Sequence, residues 1–265
     1  MKPGDLLRSR AEALKLWGLV DHWNEVAGEP WVPTMLDWLE EAARRRSLES
    51  RLVKSRLGAF KAMADFDWNW PKRIDREAVE DLFNLDFMAE AANVVLIGPN
   101  GVGKTMIAQN LAHQALLQGH GVRFTTAGLM LAELGACEGT ASLERALSRY
   151  TRPGLLVVDE VGYLSYSDRA ADLLFEVVSR RYGRRPMILT TNRPFGEWSQ
   201  VFPNAACVTT LVDRLVHRAE VIAIAGDSFR AKESAERSAA KSKARKRPKK
   251  APDPEPGEDE RGDTP

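Results

Sequence analysis

The chain has 265 residues, 44% of them apolar, enough for one substantial core and a smaller accessory domain. Its two cysteines, Cys137 and Cys207, stand far apart and outside any metal-ligand spacing, which argues against a disulfide framework and for a reducing compartment. A formal net charge of +1 excludes a global electrostatic case for nucleic acid, yet it hides basic stretches at 44–61 and 241–250 and an acidic, proline-rich stretch at 251–265.

In chain order, "MKPGDLLRSRAEALKLWG" places charges where a signal peptide needs an unbroken apolar stretch. No apolar run approaches the ~18 residues that span a bilayer. A cytoplasmic protein without membrane contact is expected. Residues 1–88 read as an N-terminal helical domain. Leu16, Val20, Trp23 and Ala27 recur at three- and four-residue spacing, and Leu36, Leu39 and Ala43 repeat the pattern. "GEP" at 28–30 separates these two predicted helices, with Thr34 as the expected N-cap of the second. "FDWNWP" at 66–71 is expected to close it, because Pro71 disfavours helix at the residue before it. Arg44, Arg51, Lys54 and Lys61 fall on one side of that helix, where they could track a phosphate backbone; a solvated helix face is the plain alternative. Tryptophans 17, 23, 31, 38, 68 and 70 all lie in this region, and core packing accounts for them more readily than stacking on bases or a partner. "IDREAVEDLFNL" then predicts a short helix.

From Asn93 the period changes. "NVVLIG", "GVRFTT", "LLVVDE", "PMILTTN" and "EVIAIAG" are short runs, apolar on both faces and separated by helical segments. They predict an α/β fold, a five-stranded parallel sheet covered on two sides, over residues 89–230. Between the first two strands, Ile107, Ala108, Leu111, Ala112, Ala115 and Leu116 form one helical face closed by Gly119. After Arg230 the apolar residues run out, so 231–265 is expected as a disordered, charged tail with at most a fraying helix at its start.

The chemistry is concentrated in the α/β part. "GPNGVGKT" matches G-x-x-x-x-G-K-[ST] between a strand and a helix, with Gly98, Pro99, Asn100, Gly101, Val102, Gly103, Lys104 and Thr105 around a triphosphate. The glycines let backbone N–H groups turn toward phosphate oxygens, and the helix N-terminus adds its positive dipole end. Lys104 brings a charge to the β- and γ-phosphates, and the Thr105 hydroxyl is a ligand for Mg²⁺. "LLVVDE" ends a strand in two carboxylates. Asp159 is suited to hold Mg²⁺ and Glu160 to orient and deprotonate the attacking water, a pairing that favours hydrolysis over group transfer. Asn192, ending the strand "MILTTN", is placed to help position that water. On the helix at 208–219, Arg214 points away from the apolar face and is a candidate arginine finger acting on a neighbouring subunit. Arg230 is a candidate sensor within the same subunit. The four histidines show no metal-binding spacing.

"NVVLIGPNGVGKT", "LLVVDEVGYLSYS", "DLLFEVVSRRYGRRPMILTTN", "PFGEWSQVFPN", "LVDRLVHRAEVIAIAGDSFR" and the upstream "FDW" together resemble the IstB-type ATPases, relatives of DnaC-type helicase loaders within the AAA+ class. The resemblance covers roughly residues 5–232. It implies a P-loop AAA+ ATPase domain, ATP and Mg²⁺ as bound groups, and Gly98–Thr105 and Asp159–Glu160 as Walker A and Walker B. It also implies Asn192 as sensor, Arg214 as the arginine of the "DRL" box, and homo-oligomers with ATP at subunit interfaces. Double-stranded DNA and a transposase are the implied partners, and the N-terminal helices would serve self-assembly or partner contact. A helicase loader, or a nucleotide-gated DNA-binding scaffold with negligible turnover, are the alternative readings. The chain departs from the resemblance at "KTMIA", where many relatives have histidine and leucine, and in its long charged tail.

Overall fold

A computed structural model describes residues 3–163, 168–202 and 206–245. The first predicted helix is divided into short pieces. Lys15 takes a left-handed backbone (φ 58°), and α1 (Pro3–Ala13), α2 (Trp17–Asp21) and α3 (Trp23–Val26) follow one another around it. They pack Ala11 and Trp23 against Val32 and Leu36 of α4 (Trp31–Ser55). Arg10 ties this bundle from outside, donating to Glu40 Oε1 at 2.7 Å and to Asp37 Oδ1 at 2.5 Å. The Arg10 hydrogen bond holds the Glu40 carboxyl below the usual carboxylate range. Thr34 is not the N-cap of α4: the helix begins at Trp31 after Pro30, which puts Thr34 inside its first turn. Core packing also fails as the account of three tryptophans, since Trp17, Trp31 and Trp38 are 58%, 46% and 68% exposed while Trp23 is buried.

α4 has 25 residues and is therefore about 37 Å long. Its first half closes the N-terminal bundle, and its second half carries Leu48 and Leu52 onto the main core. It stops at Ser55, well short of "FDWNWP". The Ser55 hydroxyl donates to Leu52 O and accepts the Leu57 N–H, while Arg56 turns left-handed (φ 57°). Lys61 is consequently off the helix and off the basic stripe predicted for it. After a 3-10 turn at Met63–Asp65 come α5 (Arg76–Asp81), N-capped by the Asp75 carboxylate accepting from Ala78 N–H at 3.0 Å, and α6 (Asp86–Ala89). Leu57, Phe66, Val79, Leu82, Leu85 and Phe87 pack into the same core as the sheet that follows.

That sheet comprises β1 (Asn93–Ile97), β2 (Val122–Thr126), β3 (Leu155–Val161), β4 (Met187–Thr191) and β5 (Ala219–Ala223). Every neighbouring pair is parallel, in the order β2-β3-β4-β1-β5. The connecting helices are α7 (Lys104–Leu117), α8 (Ala127–Gly135), α9 (Thr140–Thr151), α10 (Asp168–Arg181), α11 (Trp198–Val201) and α12 (Val208–Val216). The expected inner face of α7, from Ile107 to Leu116, is fully buried, and Gly119 at φ 96° ends the turn that follows it. Because β4 lies between β1 and β3, its tip separates the glycine loop after β1 from the two acids of β3. All three strands deliver their functional residues at their carboxyl ends, where open α/β sheets bind ligands.

One buried cation organises the other end of the sheet. Arg181, 1% exposed, donates to the carbonyls of Tyr150, Thr151, Pro153, Gly154 and Pro186, which lie at the end of α9 and at the entries to β3 and β4. Burial, with Arg185 nearby, pushes its guanidinium down to about 9. At the chain's far side α13 (Phe229–Arg245) is the helix expected at the start of the charged tail, and it runs to Arg245. Its first turns have partners that local composition does not reveal: Phe229 meets Trp70 edge-on at 5.8 Å, Lys232 lies 4.4 Å over the Trp70 ring, and Glu233 pairs with Lys61 at 3.1 Å. The rest of the expected tail, 246–265, is outside the described residues. Among those described, no helix is long and apolar enough to cross a membrane.

Candidate functional site

The loop from Gly98 to Gly103 links β1 to α7 and passes so close to its neighbours that side chains are excluded. A Cβ on Gly98 would lie 2.1 Å from the Ile224 carbonyl oxygen, and one on Gly101 would lie 2.2 Å from Ser228 Oγ. Gly101 and Gly103 have φ of 80° and 99°, backbone that L side chains rarely adopt. Phe66 presses on Gly103, 2.4 Å from where its Cβ would be, and Phe229 N–H donates to Gly101 O at 2.9 Å. The loop is thus moulded from both sides with no room for side chains at these glycines, and the first turn of α7 presents N–H groups without intrahelical acceptors. Gly103→Ala is expected to relax the free loop out of this shape, weakening nucleotide binding at least about tenfold, since left-handed strain of this kind runs to roughly 1–3 kcal/mol. Titration with a fluorescent adenine nucleotide measures it; unchanged affinity would show that the loop tolerates a side chain here.

Lys104 is 5% exposed, and its ammonium donates to Gly98 O at 2.7 Å and Pro99 O at 2.8 Å. Desolvation, helped by Arg230, outweighs the pull of Asp159 and Glu160 and leaves it pushed down to about 8. An ammonium so placed gains by meeting a polyanion. Thr105 Oγ1 donates to Asp159 Oδ1 at 3.1 Å, and the Thr190 hydroxyl donates to the same oxygen. A hydroxyl oxygen beside a carboxylate is a hard donor pair suited to Mg²⁺. Among the described residues no group of three or more acidic, histidine or cysteine side chains could hold a metal by itself. The pair fits an ion that is shared with a triphosphate.

Two adjacent acids on a regular strand would face opposite sides of the sheet. Here the register of β3 against β4 slips between Val158 and Val161, so Asp159 and Glu160 together stand against the single residue Thr190. Glu160 takes φ 62° and gives its N–H to Thr190 Oγ1 at 3.0 Å. The bulge re-aims a side chain, as bulges next to functional sites do. Both carboxylates act on Lys104 and on the Tyr163 phenol, which burial raises and Glu160 raises further.

Around the loop lies a cavity of about 320 Å³ whose walls include Phe66, Trp70, Pro71, Tyr163, Phe229 and Arg230. Asn110 of α7 fixes one wall, accepting from Met63 N–H at 2.9 Å and donating to Lys61 O at 2.9 Å. Most of these residues escaped the sequence reading because they join distant segments, 61–71 and 227–233, over the loop. The signal available was "FDWNWP" and the Phe229 just before Arg230, an aromatic group on each side of the motif.

The remaining predicted residues separate. Arg230 lines the cavity and acts on Lys104. Asn192 follows the tip of β4, where Thr191 O accepts the Gly98 N–H at 3.1 Å, and its Oδ1 is buried without a hydrogen-bond partner among the described residues. Arg214 is not in the cavity; it packs on α10, 4.7 Å over the Phe175 ring and bonded to Ser179. Its side chain is partly buried rather than freely solvated. On α4, Arg44 pairs with Glu40, Arg51 bonds Ser47 Oγ and Lys54 is exposed. Lys61 does not lie on that stripe: it belongs to the cavity wall, paired with Glu233, because α4 ends before reaching it.

Comparison with known proteins agrees with this geometry. The family model for IstB-like ATP binding proteins matches residues 9–237. A protein of insertion sequence IS21 in Pseudomonas aeruginosa, named for ATP binding, is 37% identical over 189 residues, covering 71% of this chain and 71% of its own. Its counterpart from IS232 in Bacillus thuringiensis subsp. berliner is 32% identical over 238 residues, covering 86% of this chain and 94% of its own. Among solved structures, the crystal structure of DnaI superposes with a TM-score of 0.51 at 19% identity, covering 65% of this chain and 90% of that one, which shows a shared fold.

Proposed function

Because the chain belongs to the IstB-like ATP binding proteins, we propose that it is a cytoplasmic, Mg²⁺-dependent ATPase that assembles on double-stranded DNA and assists a transposase there. The observation that carries hydrolysis is the bulge at Asp159–Glu160, which brings two consecutive acids to the glycine loop instead of dividing them between the faces of the sheet. Backbone amides at the start of α7 and the Lys104 ammonium grip the triphosphate. Thr105 and Asp159 would hold Mg²⁺, which would supply positive charge to the triphosphate. Glu160 takes the proton from the attacking water, and Asn192 aligns that water with its side-chain amide. Arg230 supplies positive charge from within the subunit, and Arg214 does so from a neighbouring one.

The DNA and transposase part of the reading is supported by the relatives, whose names place them in insertion sequences. Arg44, Arg51 and Lys54 on α4 are the residues assigned to duplex contact. The test is steady-state phosphate release with and without duplex DNA, run beside a sizing measurement in ATP. Turnover stimulated by DNA in an enlarged assembly is expected. Tight nucleotide binding with no phosphate release in either condition would overturn the enzymatic reading and leave a nucleotide-gated scaffold.

A further inference from the structure

The geometry points to Thr190 as a positioning residue that couples the two acids of β3, one hydroxyl fixing both the carboxylate assigned to the metal and the backbone that presents the carboxylate assigned to the water. This rests on the hydrolytic reading above. Thr190 is 1% exposed and is the single residue of β4 that faces the bulge. In a regular parallel pair the Glu160 N–H would find a carbonyl on β4. The extra residue removes that partner, and the Thr190 hydroxyl oxygen accepts the N–H instead, at 3.0 Å. The same hydroxyl has one proton, and it donates that proton to Asp159 Oδ1, the oxygen that also accepts from Thr105. One buried hydroxyl therefore completes two bonds with different consequences. The first secures a left-handed glutamate (φ 62°) against relaxing toward ordinary strand geometry, which would turn its carboxylate away from the loop. The second holds the Asp159 oxygen in place beside Thr105. Neither bond is made to the glycine backbone or to Lys104, so the grip of those groups on the phosphates is separate from this coupling, whereas the metal-holding pair Thr105–Asp159 is part of it.

Thr190→Val keeps the branched shape and deletes the hydroxyl; Thr190→Ser keeps the hydroxyl and deletes a methyl. In T190V, kcat for ATP is expected to fall at least tenfold while nucleotide affinity measured without Mg²⁺ stays within threefold, and T190S is expected to recover kcat to within threefold of the parent. A second readout needs no turnover: hydrogen exchange at the Glu160 amide, followed by NMR in the absence of nucleotide, should accelerate at least tenfold in T190V and much less in T190S. Unaltered Glu160 exchange in T190V, or equal loss of kcat in both variants, would overturn the assignment. An inactive parent protein would instead refute the hydrolytic reading, and the exchange measurement would still decide whether Thr190 anchors Glu160.

Discussion

Glu160→Gln lowers ATP turnover by at least about 100-fold and leaves nucleotide affinity within a factor of about three, the expectation for removal of a general base. The side chain keeps its length and shape and loses its negative charge and with it the ability to accept a proton. The backbone at Glu160 is left-handed, but glutamine meets the same restriction there as glutamate, so the bulge and the Thr190 bond are retained. The glycine loop, Lys104 and the Thr105–Asp159 pair are unaltered, so binding persists. In the presence of ATP the variant should therefore stay on duplex DNA, with dissociation slowed to match the lost turnover. Phosphate release, nucleotide titration and a DNA dissociation time course check the three parts. Turnover within threefold of the parent would remove Glu160 from its assigned role.

Arg181→Met is expected to destabilise the protein by about 3–5 kcal/mol, near the upper end for a point substitution. Methionine fills much of the arginine's length yet donates nothing. Five carbonyl oxygens lose their shared donor, among them that of Tyr150 at the end of α9, whose last carbonyls have no intrahelical partner, while Thr151 O keeps the Arg185 guanidinium. Lysine can reach only part of this set as a point charge, so Arg181→Lys should fall between the two. For a chain of this size the methionine variant should melt roughly 10 °C lower. Urea unfolding and calorimetry read the effect, and a loss of about 1 kcal/mol or less would mean that water or rearrangement satisfies those carbonyls.

The two motifs legible in the sequence share a property: each is a contiguous string whose role follows from local geometry. "GPNGVGKT" needs only a strand before it and a helix after it, and both are present. The acids at Asp159 and Glu160 are equally plain, but the bulge that makes the second one useful is not. "LLVVDEV" reads as an unbroken strand, and the slip depends on Thr190 of another strand. The basic pattern continues smoothly past Ser55 and so puts Lys61 on the helix face; the turn there is made by Arg56, a residue with no turn preference, with Gly58 as the one nearby hint. In "SRRYGRRP" four arginines look alike, and only tertiary packing makes Arg181 a buried clamp while Arg184 and Arg185 remain exposed. The cavity walls illustrate the same limit, since Phe66 and Phe229 meet the glycine loop from opposite ends of the chain.

The unbroken course of α4 makes it a lever. Its inner end feeds, through a short tether, the Lys61–Met63 segment that Asn110 pins beside the glycine loop, and its outer end carries the exposed Trp31 and Trp38. A swing of about 5° about the inner end sweeps the outer end through roughly 3 Å, given a rise of about 1.5 Å per residue. Any tilt of α4 would therefore move the exposed indole rings of Trp31 and Trp38 several times further than it moves the residues beside the cavity wall.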